Sequence, residues 1–300
     1  QRQMCIRDSS NTVASGSDLG VTATFLLEIG TEELPADFVR QALDQLQQRV
    51  SRDLHEARLG HGAVSVCGTP RRLVVSVADL EDRQPDLEED RKGPPVAQAF
   101  KDGIPGPAAI GFAKRCGVDP SALEQRDTPK GPCVFATVLT PGQACVELLQ
   151  GLIPQWIDAL QGRRFMRWGT GAQRFSRPIR WLLALKGSEV IPVVLGGADP
   201  EVRSDRFSRA HRLHGEEPLS IASAEQFGET LAAAGVVVDR AERAKRIRTN
   251  LDQSAQAANG TPDCPESLFE ELVDLVEDPR ILEGTIAERF LQLPPEVIST

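Results

Sequence analysis

Eleven basic side chains fall within the fifty residues from Arg163 to Arg212, and ten of them are arginine. They are Arg163, Arg164, Arg167, Arg174, Arg177, Arg180, Lys186, Arg203, Arg206, Arg209 and Arg212, against four acids, Glu189, Asp199, Glu201 and Asp205. The stretch carries +7 in a chain whose formal net charge is −9, which leaves −16 for the rest. A guanidinium offers a planar fork of donors that meets a phosphate in bidentate fashion and stacks on flat rings, as an ammonium does not. Trp168, Phe175 and Trp181 are interleaved with the arginines and could stack splayed bases. The chemistry on offer is contact with a nucleic acid through Arg163, Arg164, Arg167, Trp168, Arg174, Arg177, Arg180, Arg209 and Arg212. Arg71 and Arg72, adjacent at the head of an alternating strand, form a second, smaller candidate. A plainer reading stays open for both. The island could pair with acidic stretches such as Asp263 to Asp278 across a domain or subunit interface, or partly face solvent. Arg71-Arg72 could simply guard a sheet edge, and the acidic balance of the whole chain, taken alone, argues against nucleic acid.

No catalytic constellation assembles beside these residues. The chain contains no GxSxG elbow, no GxxxxGK-S/T phosphate loop, no GxGxxG and no HExxH. Glu32-Glu33 invites an acid/base reading, but neighbours on a turn point apart, and acids at a helix N-terminus are stabilised by its dipole. His211 and His214 lack a second ligand pair, so neither a catalytic nor a metal site is expected. The six cysteines form no CxxC pair, which points to free thiols in a reducing cytoplasm. No apolar run approaches the ~20 residues of a membrane span, and no secretory signal opens the chain.

The elements that must hold the arginines begin at Phe25-Leu26-Leu27-Glu28-Ile29, a short apolar run with one charge inside it, read as a buried strand. Gly30 breaks the strand, Pro35 suits a helix start, and an apolar stripe runs through Phe38, Ala42, Leu46, Val50 and Leu54. Strands are expected near Ala63–Val66 and Arg72–Leu80, and residues 81–95 read as a surface connection. A short helix follows at Ala108–Cys116, and Asp119-Pro120 should cap another. A strand is expected over Cys133–Leu139 and a helix over Val146–Leu160, kinked or split at Pro154. Ile179–Leu185 and Val190–Leu195 read as a hairpin. Asp239-x-x-Glu242 is a capping box that opens a long helix ending near Asn259-Gly260. Leu268, Leu272, Leu275 and Val276 form the apolar stripe of one more helix. The class expected is α+β, with mixed helices and mainly antiparallel sheets in two packed subdomains. Residues 1–20 read as a non-native or disordered leader, 21–160 as an N-terminal α+β region, and 161–300 as a second α+β region with the arginine island and the C-terminal helices.

Phe25 to Ala36, FLLEIGTEELPA, closely resembles the opening of the beta subunit family of bacterial heterotetrameric glycine–tRNA ligase. The likeness recurs in order at Thr69–Val74, Arg91–Phe100, Gly111–Gly117, Met166–Gly169, Phe175–Pro178, Arg209–Arg212 and Leu268–Pro294. Ala210 and Leu213 depart from the family's GHRF-like phrase, and Asp278 stands where an aromatic is usual. The resemblance implies an accessory subunit that contributes tRNA(Gly) binding and complex assembly in an alpha2-beta2 tetramer. The alpha subunit would carry the class II aminoacylation site and use ATP and Mg, with no cofactor in this chain. It also implies an N-terminal fragment, since family chains continue past this point. An editing-type hydrolytic module and a purely structural interaction module remain the alternatives.

Overall fold

The computed structural model describes residues 22–101, 103–215, 217–290 and 292–298. The expected leader, 1–20, lies outside them. The chain opens with β1 (Thr22–Thr31), α1 (Ala36–Glu56), β2 (Val64–Thr69) and β3 (Arg72–Glu81). A small lobe follows: β4 (Leu87–Pro95), the one-turn α2 (Val96–Ala99), the two-residue strands β5 (Phe100–Lys101) and β6 (Ile104–Pro105), α3 (Pro107–Cys116), β7 (Glu124–Arg126) and β8 (Cys133–Thr140). α4 (Cys145–Asp158) returns to the main body. There β9 (Ile179–Lys186), β10 (Glu189–Val190), β11 (Val194–Leu195), β12 (Val202–Asp205), β13 (Phe207–Arg209) and β14 (Pro218–Ser220) precede four helices. These are α5 (Phe227–Ala233), α6 (Arg240–Ala257), α7 (Glu266–Leu275) and the short α8 (Pro295–Ile298). The fold is α+β with mainly antiparallel sheets, as expected.

The main sheet runs β11-β12-β9-β1-β3-β2, with β10 added to β9, so it takes strands from both sides of residue 160. Its pairings are antiparallel except for β12 on β9. β1 is central and covered on both faces, which is why it reads as a nearly continuous apolar run. Phe25, Leu27 and Ile29 face the layer of α1 and α4, where Leu46, Val50, Ile153 and Trp156 are fully buried. Leu26 points the other way, into a second core with Val74, Leu183, Phe227 and Leu231. Glu28 shares that second face, and so does Arg72 two residues from Val74 on β3. The lobe has its own core of Ala99, Ala109, Phe112, Cys116, Val134 and Ala136 beneath the β4-β8-β7 sheet.

Several expectations give way to packing. Residues 87–95 form a strand that pairs with β8 from Leu87↔Thr140 onward; it lies at a sheet edge with mostly exposed side chains, so its sequence lacks apolar alternation. Gly30 does not end β1, which continues to Thr31. Asp119 caps only a three-residue 3-10 turn, accepting from the Ser121 amide. The hairpin's return arm stops at Ile191, because Pro192 has no N–H for the ladder; Val194-Leu195 then pairs with β12. α4 carries Pro154 without being split. On α7 the docked residues are Phe269 and Val273, packed with Ile247, while Leu268, Leu272 and Leu275 are 45%, 37% and 49% exposed. Of the expected stripe Val276, just past the helix end, does pack with this cluster; the three leucines lie one position off the docked face, and the cause lies in the buried acids beside it. The described cysteines Cys67, Cys116, Cys133, Cys145 and Cys264 are free.

Candidate nucleic-acid interface

Four arginines from three distant parts of the chain meet at one end of the main sheet. Arg71 sits in the turn between β2 and β3, Arg180 near the start of β9, and Arg209 and Arg212 at and beyond the end of β13. With Glu32, Trp181, Ala210 and Gly215 they line a cleft of about 390 Å³. Glu32 is the carboxylate among these lining residues. Glu32 takes Arg180 at 3.2 Å, both side chains being more than half exposed, and Glu33 pairs with Arg212 just outside. Exposed pairs of this kind contribute on the order of 0–1 kcal/mol, so a phosphate can displace them at little cost.

The floor of the cleft is held from below by Arg72, which is fully buried. Its Nη1 donates to Glu28 Oε1 at 2.9 Å, to Ser208 Oγ at 3.2 Å and to the Arg209 carbonyl at 3.1 Å. Its Nε donates to Glu277 Oε1 at 2.9 Å, and Nη2 reaches Oε2 at 3.4 Å. Thr69 Oγ1 donates to Glu277 as well, and Ser208 Oγ to Glu28. Through the Arg209 carbonyl this network fixes the backbone from which one cleft arginine projects. Burial raises the pKa of Glu28, and Arg72 and Ser208 offset it only in part. Burial works the same way on Glu277, but there Arg72, Thr69 and Arg71 outweigh it and the carboxyl is held below its ordinary range.

Trp181 closes the other side. Its ring lies 5.8 Å from the Arg71 guanidinium and 5.5 Å from that of Arg72, a cation–π arrangement. It stands opposite Gly30 in the β1–β9 register, and a Cβ at Gly30 would lie 1.8 Å from the indole. The glycine is therefore the room in which the indole lies. The indole N–H is close enough to the Glu28 carboxyl to favour its charged form, although neither Trp181 Nε1 nor Glu28 Oε2 completes a well-aligned hydrogen bond.

Of the arginines read from the sequence, Arg71, Arg180, Arg209 and Arg212 converge in the cleft. Arg72 does not reach the surface; it is a positioning residue, because two buried carboxylates hold it inward. Arg163, Arg164, Arg167 and Arg174 are exposed, outside the cleft lining, and make no ion pair among the described residues. Arg177 is half-buried and donates to the Ser176 carbonyl. Trp168 is half-buried against the main core, and Trp181 is 8% exposed beneath two guanidiniums, so Trp181 presents no free face for a base. The acidic stretch meets arginines mostly outside the island. Asp274 pairs with Arg240 and Arg40, Glu270 with Arg240, and Glu266 with Arg248. No cluster able to hold a metal occurs among the described residues, His211 and His214 included. The residues missed from the sequence are Glu28, Ser208 and Glu277. The one available signal was Glu28 itself, a carboxylate inside an apolar strand that must find a buried partner.

A family model described as glycyl-tRNA synthetase beta subunit matches residues 25–300. The chain is 45% identical over 278 residues to the glycine–tRNA ligase beta subunit of Picosynechococcus sp., covering 93% of this chain and 39% of that protein. It is 44% identical to that of Trichodesmium erythraeum, over 92% of this chain and 38% of the relative. The corresponding protein of Yersinia pestis is 39% identical, with 92% and 40% covered. The chain thus spans about two-fifths of the length of these relatives.

Proposed function

The chain belongs to the glycyl-tRNA synthetase beta-subunit family, and from that premise we propose that it helps hold tRNA(Gly) and assemble the ligase around it. The aminoacylation site, with its ATP and Mg, lies in this reading on a class II alpha subunit, in a cytoplasmic alpha2-beta2 complex. The observation that carries the proposal is the cleft: Arg71, Arg180, Arg209 and Arg212 brought to one place with a single lining carboxylate. Forked guanidiniums at close quarters suit the phosphate oxygens of an RNA backbone. Arg72 is withdrawn from the contact set, and Arg163, Arg164, Arg167, Arg174 and Arg177 are its outlying members. The described lining residues include no nucleophile beside a base, so the hydrolytic alternative gains nothing here.

The test is binding of labelled tRNA(Gly) to this chain with the alpha subunit at several salt concentrations. Replacing Arg180 or Arg212 with Ala should weaken binding uniformly across tRNA sequences and lower the salt slope by about one unit per contact removed. Unchanged affinity and slope in both variants would hand these arginines to protein–protein contact or to solvent.

A further inference from the structure

The small lobe carries a second basic groove that the arginine cleft does not account for. Two stretches singled out in the sequence, Arg91–Phe100 and Gly111–Gly117, face each other across it. Arg91, Lys92 and Gly93 on β4 form one side and Gly111, Phe112 and Arg115 on α3 the other, around about 920 Å³. Three lining side chains are cationic and none is acidic. Lys92 and Arg115 make no ion pair among the described residues, and Arg91 reaches only an exposed Glu89 at 3.6 Å. Asp90, next to Arg91 on the strand, is taken up by Arg126 and Thr137.

Between these cations the floor is flat and apolar. A Cβ on Gly93 would come within 2.6 Å of the Phe112 ring, so bare backbone lies directly on the aromatic. A Cβ on Gly111 would meet nothing within 4 Å, which leaves that wall low and open. The lobe's own core anchors Phe112 from beneath, so the groove is pre-shaped. Cations beside an apolar floor match a sugar–phosphate strand, whose phosphates take the charges while its riboses lie on the floor.

We propose that this groove is a second binding site for RNA backbone, which together with the arginine cleft grips one RNA at two places. The inference rests on the reading that the chain binds transfer RNA. Two weak sites on one chain reinforce each other, because the first contact raises the effective concentration of RNA at the second.

The experiment measures anisotropy of labelled tRNA(Gly) with the 300-residue chain in the presence of the alpha subunit across a salt series. Three variants are compared with the unaltered chain: Lys92→Ala/Arg115→Ala, Gly111→Glu, and Arg180→Ala/Arg212→Ala. The substituted positions are exposed, and thermal melts check that each variant is folded. The lobe double variant should weaken binding and lower the salt slope by about two units. Gly111→Glu should weaken it too, by setting a negative charge in open space on the wall. If both lobe variants bind as the unaltered chain does while the cleft variant is weakened, the groove is not an RNA site and the cleft reading survives. If the unaltered chain binds no tRNA, both readings fall. If the lobe variants keep RNA affinity but lose the alpha subunit in a pull-down, the groove docks protein and the proposal is overturned.

Discussion

One guanidinium cannot neutralise two carboxylates in a buried site, and the Glu28–Arg72–Glu277 group places the excess charge on Glu28. Glu277 takes two of the guanidinium's nitrogens, whereas Glu28 shares Nη1 with Ser208 and the Arg209 carbonyl. Burial, which Arg72 and Ser208 offset only in part, holds the folded-state pKa of Glu28 above its ordinary 4.5, and the folded chain binds that proton more readily than the unfolded one. The stability this contributes is fully present below 4.5 and is lost as pH rises through the raised value. Glu277 behaves oppositely: its contribution is present above 4.5 and is lost as pH falls through its depressed value. Removing Glu277 leaves Arg72 with the weaker of its partners, and Glu277→Gln should cost roughly 3–5 kcal/mol in urea denaturation. Glu28→Gln should cost clearly less, and its stability should stop declining as pH rises above 4.5. Equal costs, or a pH profile unchanged in Glu28→Gln, would mean that the charge is shared differently.

A helix with two apolar stripes needs something else to choose its phase. Along α7, Leu268, Leu272 and Leu275 recur at helical spacing, but so do Phe269 and Val273 one position later, followed by Val276 just past the helix end. Beside the second set are two buried acids, Asp274 on the helix and Glu277 just beyond it: Asp274 meets the half-buried Arg240 at 2.7 Å and Glu277 meets the buried Arg72 at 2.9 Å. Rotating the helix by one residue would trade these pairs for solvent while gaining no more apolar area. Arg243 adds to the constraint: it is almost wholly buried and donates to the carbonyls of Gly68, Val237, Val238 and Val273, tying α6 to β2 and α7. Phe269→Ala should accordingly cost about 3–5 kcal/mol. Leu272→Ala should change stability by no more than about 0.5 kcal/mol, the usual range for surface positions. A Leu272 variant as damaging as the Phe269 variant in thermal or urea unfolding would show that the helix docks by its other face.

At the scale of the whole molecule, charge is sorted by place rather than by sequence distance. The acids of the C-terminal region meet Arg40, Arg72, Arg240 and Arg248, while Arg180 and Arg212 of the cleft pair with Glu32 and Glu33. That distribution fits a binding subunit, and the chain alone should give no glycine-dependent pyrophosphate exchange; robust exchange without an alpha subunit would overturn the proposed division of labour. The sequence by itself determined the order β1, α1, β2, β3, because apolar stripes with period near 3.6 and runs with period 2 are local properties. It also determined the start of α6, where the Asp239 side chain caps the helix by accepting from the Glu242 amide, although the Glu242 side chain goes to Arg246 and does not complete the box. It located the arginine island as well, since composition is countable along the chain. Tertiary structure alone decided which arginines share a cleft, that Arg72 points inward, and which face of α7 is buried. Each of these depends on a partner far along the chain, such as Glu277 for Arg72, 205 residues away. The energy of a buried charge depends on what surrounds it in space, and a one-dimensional pattern does not carry that information.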